Sequence, residues 1–236
     1  MATARSVASG REVEKVRKTG LFGGTFDPVH EGHLALARAA LARCGLDQVL
    51  FIPAARPPHK EQPGASFEHR VAMLRAALAG SARMDVSCIE AERDSPSYTI
   101  DTVRELKKRL GDHEFFFIIG ADSLLELHLW YRYRELLEQV PFIVAARPSV
   151  PFAEVARAVA MLPGGFVYDR RSSTWRRADG ARIHYLADVR VPVSSSEVRR
   201  LLARGRPTPM VPEPVRRYIE RHNLYGQAER RAACST

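Results

Sequence analysis

Leu21-Phe22-Gly23-Gly24-Thr25-Phe26-Asp27-Pro28-Val29-His30-Glu31-Gly32-His33 is the stretch on which the fold turns. An apolar segment, read as a strand over Thr19–Phe22, runs straight into two glycines. A helix is expected to follow from about His33 to Arg43. Outward from there, apolar runs and helical patterns alternate. Gln48–Pro53 reads as a second strand that ends in the proline-rich loop Ala54–Gly64. Phe67, Val71, Leu74 and Leu78 recur at i, i+4, i+7 and i+11, one face of a helix. A third strand lies near Met84–Ile89, and Ile100, Val103, Leu106 and Leu110 form the stripe of a helix over 98–110. Glu114–Ile119 and Pro141–Ala145 read as buried strands. This alternation predicts an α/β fold with a Rossmann-like, doubly wound parallel sheet. Such sheets bind ligands beyond the carboxyl ends of their strands, where strand order reverses. Strands one and four would be neighbours there, so Gly23–His33 and Gly120-Ala121-Asp122-Ser123 are expected to face one crevice.

Four segments follow. Residues 1–18 are polar, basic and aperiodic and read as a disordered leader. Residues 19–192 form the core. A small C-terminal helical extension, 193–226, carries helices at Ser195–Arg204 and Glu213–His222, and 227–236 reads as a flexible tail. Within 163–192 only one strand, Arg182–Leu186, can be assigned. There is no internal repeat.

Of the 236 residues, 45% are hydrophobic and 27% charged, which is ordinary for a globular protein. No apolar run approaches the roughly 20 residues of a membrane span, and residues 1–18 lack the apolar core of a secretory signal. Three scattered cysteines (Cys44, Cys88, Cys234) show no pairing or metal-ligand spacing, so a reducing, cytoplasmic setting is expected. The net charge of +9 admits nucleic acid, membrane or small polyanions as partners. Arginine supplies nearly all of it, a bias that genome composition explains equally well. Arg170-Arg171 and Arg176-Arg177 read as a loop with little context of interleaved stacking aromatics, which argues against nucleic acid.

Three elements carry chemistry. Gly23 and Gly24 let the backbone approach a ligand, with amides available to phosphate oxygens. His30 and His33, at i and i+3, place two imidazoles on one side of a helix start, itself an anion site. Gly32 leaves room against the backbone for a bulky group. A His-x-x-His pair also fits a partial zinc site, but no third ligand stands at suitable spacing, so no metal ligands are assigned. Second, Pro57-Pro58-His59-Lys60 sets one of only five lysines in the loop after strand two, at the carboxyl edge of the sheet. Third, Ser194 and Glu197 have capping-box spacing. That helix start, with Ser195, Ser196 and Arg199 one turn inside, reads either as a plain cap or as a phosphate clamp.

Together these residues resemble the signature of the bacterial-type nicotinate mononucleotide adenylyltransferases, of the His-x-Gly-His nucleotidyltransferase superfamily. The similarity continues through Pro57–Lys60, Ser95-Pro96-Ser97-Tyr98-Thr99-Ile100-Asp101-Thr102 and Ile119-Gly120-Ala121-Asp122 with Trp130. It extends to Ala146-Arg147-Pro148, Val193-Ser194-Ser195-Ser196-Glu197-Val198-Arg199, and the ending Val211-Pro212-Glu213, Tyr218-Ile219 and His222-Asn223-Leu224-Tyr225. It spans about Thr19 to Gly226. Val193 and Ser196 stand where the family usually has isoleucine and threonine, Ser149 replaces a frequent glycine, and Leu127 a frequent phenylalanine.

The resemblance implies transfer of AMP from ATP to nicotinate mononucleotide, giving nicotinate adenine dinucleotide and pyrophosphate in NAD biosynthesis. It implies phosphate handling and transition-state stabilisation by His30, His33, Lys60 and Arg199. It places ATP against Gly23, Gly24, Thr25, Phe26, Gly32, Gly120, Asp122, Ser195 and Ser196. Tyr98, Thr99, Trp130, Tyr131 and Arg147 would take the mononucleotide. Mg²⁺ would arrive on the ATP phosphates, and the small-molecule substrates need neither nucleic acid nor membrane; a homo-oligomer is left open. A relative of the same fold with another phosphorylated acceptor is the nearest alternative. A basic nucleic-acid-binding module or a tRNA synthetase relic is a more distant one, the latter lacking a Lys-Met-Ser-Lys-type loop.

Overall fold

The computed structural model describes residues 16–57, 63–189 and 193–226. In chain order its elements are β1 (Arg17–Gly24), α1 (Glu31–Arg43), β2 (Gln48–Pro53), α2 (Phe67–Leu78), β3 (Met84–Val86), α3 (Thr99–Arg109) and β4 (His113–Gly120). There follow α4 (Ala121–Leu125), α5 (Tyr133–Gln139), β5 (Phe142–Ala145), α6 (Phe152–Ala160), β6 (Val167–Asp169), β7 (Thr174–Arg176), β8 (Arg182–Leu186), α7 (Ser195–Ala203) and α8 (Glu213–Arg221). One sheet has the order β3-β2-β1-β4-β5-β8-β7-β6. The strands from β3 to β8 are parallel to their neighbours, and β7 and β6 close the edge antiparallel. The fold is the Rossmann-like α/β class, with order reversing between β1 and β4.

Alternation along β4 shows why the sheet is covered on both faces. Phe116 and Ile118 enter the core layer beneath α1, α2, α7 and α8, whereas Phe115, Phe117 and Ile119 enter the layer under α3, α5 and α6. A strand sends successive side chains to opposite faces, so a continuous apolar run marks a strand buried on both sides. Each fully buried side chain of this kind contributes roughly 1.5–3 kcal/mol. Gly20 in β1 suits this packing: a Cβ there would lie 2.7 Å from Ile118 Cδ1 and 2.8 Å from Leu46 Cδ1, so the buried side chains would have to shift.

The differences from expectation are local. Arg17 and Lys18, assigned to the leader, already pair with His113 and Glu114, so β1 begins two residues early. Among the described residues of segment 163–192 there are three strands rather than one, because β6 and β7 form a hairpin against β8. Trp175 of β7 is 3% exposed and packs with Phe152, Tyr168 and Tyr185. The C-terminal helices expected after residue 193 are present, and Val198, Leu202, Val215 and Ile219 join them to the same apolar layer as α1 and α2.

Candidate active site

At the carboxyl ends of β1 and β4 lies a crevice of about 860 Å³, lined by the loops after both strands and by the start of α7. The loop after β1 turns sharply. Phe26 has φ of 51°, and its ring is buried against Phe22, Phe51 and the His33 ring. Phe26 therefore meets the crevice through its backbone, and its side chain supports His33. Gly24 could not carry a side chain freely, since a Cβ there would be 3.0 Å from Phe26.

α1 starts at Glu31 with His30 as its N-cap and His33 at its third position. The two imidazoles stack with centroids 3.7 Å apart. The backbone N–H of His30 donates to His33 Nδ1 at 3.2 Å. A neutral His33 whose Nδ1 accepts must carry its proton on Nε2. His30 is 1% exposed. Burial first, and the Arg147 guanidinium second, push its imidazole down to about 4, so it is neutral at neutral pH.

The start of α7 is tied directly to this loop. Ser194 caps the helix by accepting from the Glu197 N–H. The Ser195 hydroxyl donates to the Pro28 carbonyl at 3.0 Å. Arg199 donates through Nη1 to the Asp27 carbonyl at 2.7 Å and through Nη2 to the Ser196 hydroxyl at 3.3 Å. Its guanidinium is thus fixed against the loop after β1 and lines the crevice, with 35% of the side chain exposed. From the β5 side, Arg147 donates to Asp122 Oδ1 at 3.2 Å and to the Val193 carbonyl at 3.1 Å. This places Arg147 between the β4 and α7 loops, nearer the groups assigned to ATP than to the aromatic end. A Cβ on Gly120 would sit 2.4 Å from Asp122 Oδ1 and 3.2 Å from Arg147 Nε, so any side chain there would displace this pair.

The aromatic end is built on α3. Tyr98 is its N-cap, so Thr99 opens a helix whose first N–H groups have no intrahelical partner. The Ser97 hydroxyl accepts from the Ala55 and Arg56 N–H groups and binds this corner to the loop after β2. The Tyr131 ring packs on Tyr98 at 4.5 Å, and Trp130 meets Phe117 edge-on at 6.0 Å. Beneath them Thr102 donates to Glu90 Oε1 and accepts from Arg93, each at 2.7 Å.

Gly23, Gly24, Thr25, Phe26, His30, Gly32, His33, Tyr98, Thr99, Gly120, Asp122, Trp130, Tyr131, Arg147, Ser195, Ser196 and Arg199 all line this one crevice. Lys60, with Pro58 and His59, lies outside the described residues. Among the described residues no group of three or more His, Cys, Asp or Glu side chains could hold a metal ion, and no helix is long and apolar enough to cross a membrane.

Several supporting groups carried no assigned role in the sequence. Asp27 is 1% exposed and accepts from the Gly64 and Ala65 N–H groups and the Tyr225 hydroxyl. Arg70, equally buried, donates to the Thr25 carbonyl at 2.8 Å. Asp27 and Tyr225 both stand in quoted motifs, but nothing in a linear pattern links positions 198 residues apart. An arginine on the core stripe of a helix was the one available sign for Arg70.

The cytidylyltransferase-like family model matches residues 21–201. A protein of Pelobacter propionicus named as a probable nicotinate-nucleotide adenylyltransferase is 41% identical over 213 residues, covering 89% of this chain and 99% of that protein. One of the same name from Gloeobacter violaceus is 43% identical, covering 88% and 96%. Among solved structures, Plasmodium falciparum nicotinic acid mononucleotide adenylyltransferase complexed with NaAD superposes with a TM-score of 0.67 at 17% identity. It covers 89% of this chain and 97% of that one, a similarity of fold.

Proposed function

The chain belongs to the nicotinate-nucleotide adenylyltransferases of the cytidylyltransferase-like family, and on that premise we propose how its crevice carries out adenylyl transfer to nicotinate mononucleotide. The observation that carries the reading is the joining of two unlike halves in one crevice: stacked imidazoles with Arg199, and an aromatic corner at the start of α3.

A phosphate oxygen of the mononucleotide, ionised at neutral pH, attacks the α-phosphorus of ATP. The bond to the bridging oxygen breaks, and pyrophosphate leaves with that electron pair. No general base is required, so alignment and charge stabilisation remain as the protein's tasks. His33, with its proton on Nε2, donates to a phosphate oxygen. His30, neutral and buried, adds no net charge and so leaves the anion's charge to Arg199 and Lys60. These two hold the triphosphate and the departing pyrophosphate. Gly23, Gly24, Thr25, Phe26 and Gly32 offer backbone to the nucleotide, the Phe26 ring being committed to the core. Gly120, Asp122, Ser195 and Ser196 surround the adenosine side. Ser195 has spent its hydroxyl proton on Pro28 and acts as an acceptor or through its N–H.

Trp130 stacks on the pyridine, and the N–H groups near Thr99 and Tyr131 receive its carboxylate. Arg147 meets the mononucleotide phosphate as it approaches ATP. Mg²⁺ arriving on the ATP phosphates would supply charge neutralisation there. The free cysteines Cys44 and Cys88 fit a reducing cytoplasm. The test is an acceptor panel. With MgATP, nicotinate mononucleotide should turn over, and phosphopantetheine should not. No turnover of the first acceptor would retire the assignment.

A further inference from the structure

The Asp27 carboxylate is a buried charge shared among four donors from three distant segments. Oδ1 accepts from the Ala65 N–H at 3.1 Å and the Tyr225 hydroxyl at 2.7 Å. Oδ2 accepts from the Gly64 N–H at 2.8 Å and stands 3.5 Å from Arg199 Nη1. Charge-assisted hydrogen bonds run at about 2.7–2.9 Å, so the ion pair is long. The short bond of Arg199 goes instead to the neutral Asp27 carbonyl, at 2.7 Å. The guanidinium is therefore anchored while its charge is only partly answered, and it lines the crevice.

Tyr225 sits in the turn Leu224–Gly226, at φ of 61°. It lies within reach of the same spot: a Cβ on Gly64 would be 3.4 Å from both Arg199 Cδ and Tyr225 Cε1. Burial first, and the bond to Asp27 second, push the phenol above its ordinary range, so it stays a donor. Without that donor, Oδ1 keeps one partner and the carboxylate turns its field on the nearest cation.

We propose that Tyr225 is a positioning residue for the ATP half of the site, holding Asp27 so that Arg199 faces polyphosphate instead of closing on the carboxylate. The inference rests on the adenylyltransferase reading. It makes the C-terminal turn part of nucleotide binding, with no contact between Tyr225 and substrate.

The experiment uses the full chain and measures affinity for α,β-methylene-ATP with Mg²⁺ and, separately, for nicotinate mononucleotide. Tyr225→Phe should weaken the ATP analogue about tenfold, the scale of one lost hydrogen bond to a charged group, and leave the mononucleotide unchanged. Tyr218→Phe is the control. It removes a comparable hydroxyl contact in the same C-terminal region, to His69 Nδ1 at 3.0 Å, and should change neither affinity. Unchanged analogue binding in Tyr225→Phe would overturn the proposal. So would equal weakening of both ligands, or the same loss in Tyr218→Phe. A wild type that binds the analogue but does not turn over nicotinate mononucleotide would retire the acceptor assignment and leave this inference standing. One that does not bind the analogue overturns both.

Discussion

The imidazoles of His30 and His33 lie face to face, 3.7 Å apart and 25° from parallel, bridged by the His30 N–H on His33 Nδ1. The contact fixes the tautomer of one ring by the backbone of the other. It leaves His33 as a donor aimed by α1 and braced by Phe26 at 5.0 Å. His33→Ala should therefore lower turnover at least about a hundredfold, the scale of a lost transition-state donor. Thermal unfolding should change little. A mutant with a near-normal rate would contradict the role.

His30 makes an acid-stability prediction. Its folded value of about 4 lies below the unfolded 6.5, so the unfolded chain binds the proton more tightly. Stability from this residue is complete above pH 6.5, is lost as pH falls toward about 4, and then levels off. The loss is on the order of 3 kcal/mol. Urea midpoints measured across that window should fall for the wild type. His30→Asn should flatten the part between about pH 6.5 and pH 5, above the main carboxylate range. Equal slopes in both proteins would rule the histidine out as the source.

Two glycines on neighbouring strands should fail in different ways. Gly20→Ala forces a methyl against Ile118 and Leu46 in the core and should cost about 1–3 kcal/mol of stability. Gly120→Ala meets Asp122 and Arg147 at the crevice, so it should cut turnover while the melting temperature moves less. Paired melting curves and rates check the contrast. Matching losses in both variants would deny Gly120 a site-specific role.

Trp130 stands on the acceptor side, held edge-on by Phe117. Trp130→Ala should raise KM for nicotinate mononucleotide roughly tenfold, as expected for a lost aromatic stack, with KM for ATP little changed. A rise confined to ATP would place the indole in the wrong half.

The strands that fix the fold were readable because they are buried on both faces. In β4 the run Phe115–Ile119 is apolar at every position, which is what a central parallel strand requires. The β6–β7 hairpin was not, since three-residue strands are too short to show a period, and Arg170, Arg171, Ser172 and Ser173 between them resemble a loop. The helices α4, α5 and α6, of five to nine residues, were equally unassigned. Short helices owe their order to packing more than to pattern. Local motifs brought His30, His33 and the capped start of α7 to notice. The Asp27 hub was invisible, because it joins residues 27, 64, 65, 199 and 225 through the fold. Lys60 lies outside the described residues.

The most direct measurement follows the α-phosphorus itself. ATP labelled at that atom, incubated with Mg²⁺, nicotinate mononucleotide and the protein, should pass its label into nicotinate adenine dinucleotide. ATP labelled at the γ-phosphorus should deliver label to pyrophosphate. Label from the α-position found in free AMP, or bound to the protein with no dinucleotide formed, would contradict adenylyl transfer to this acceptor.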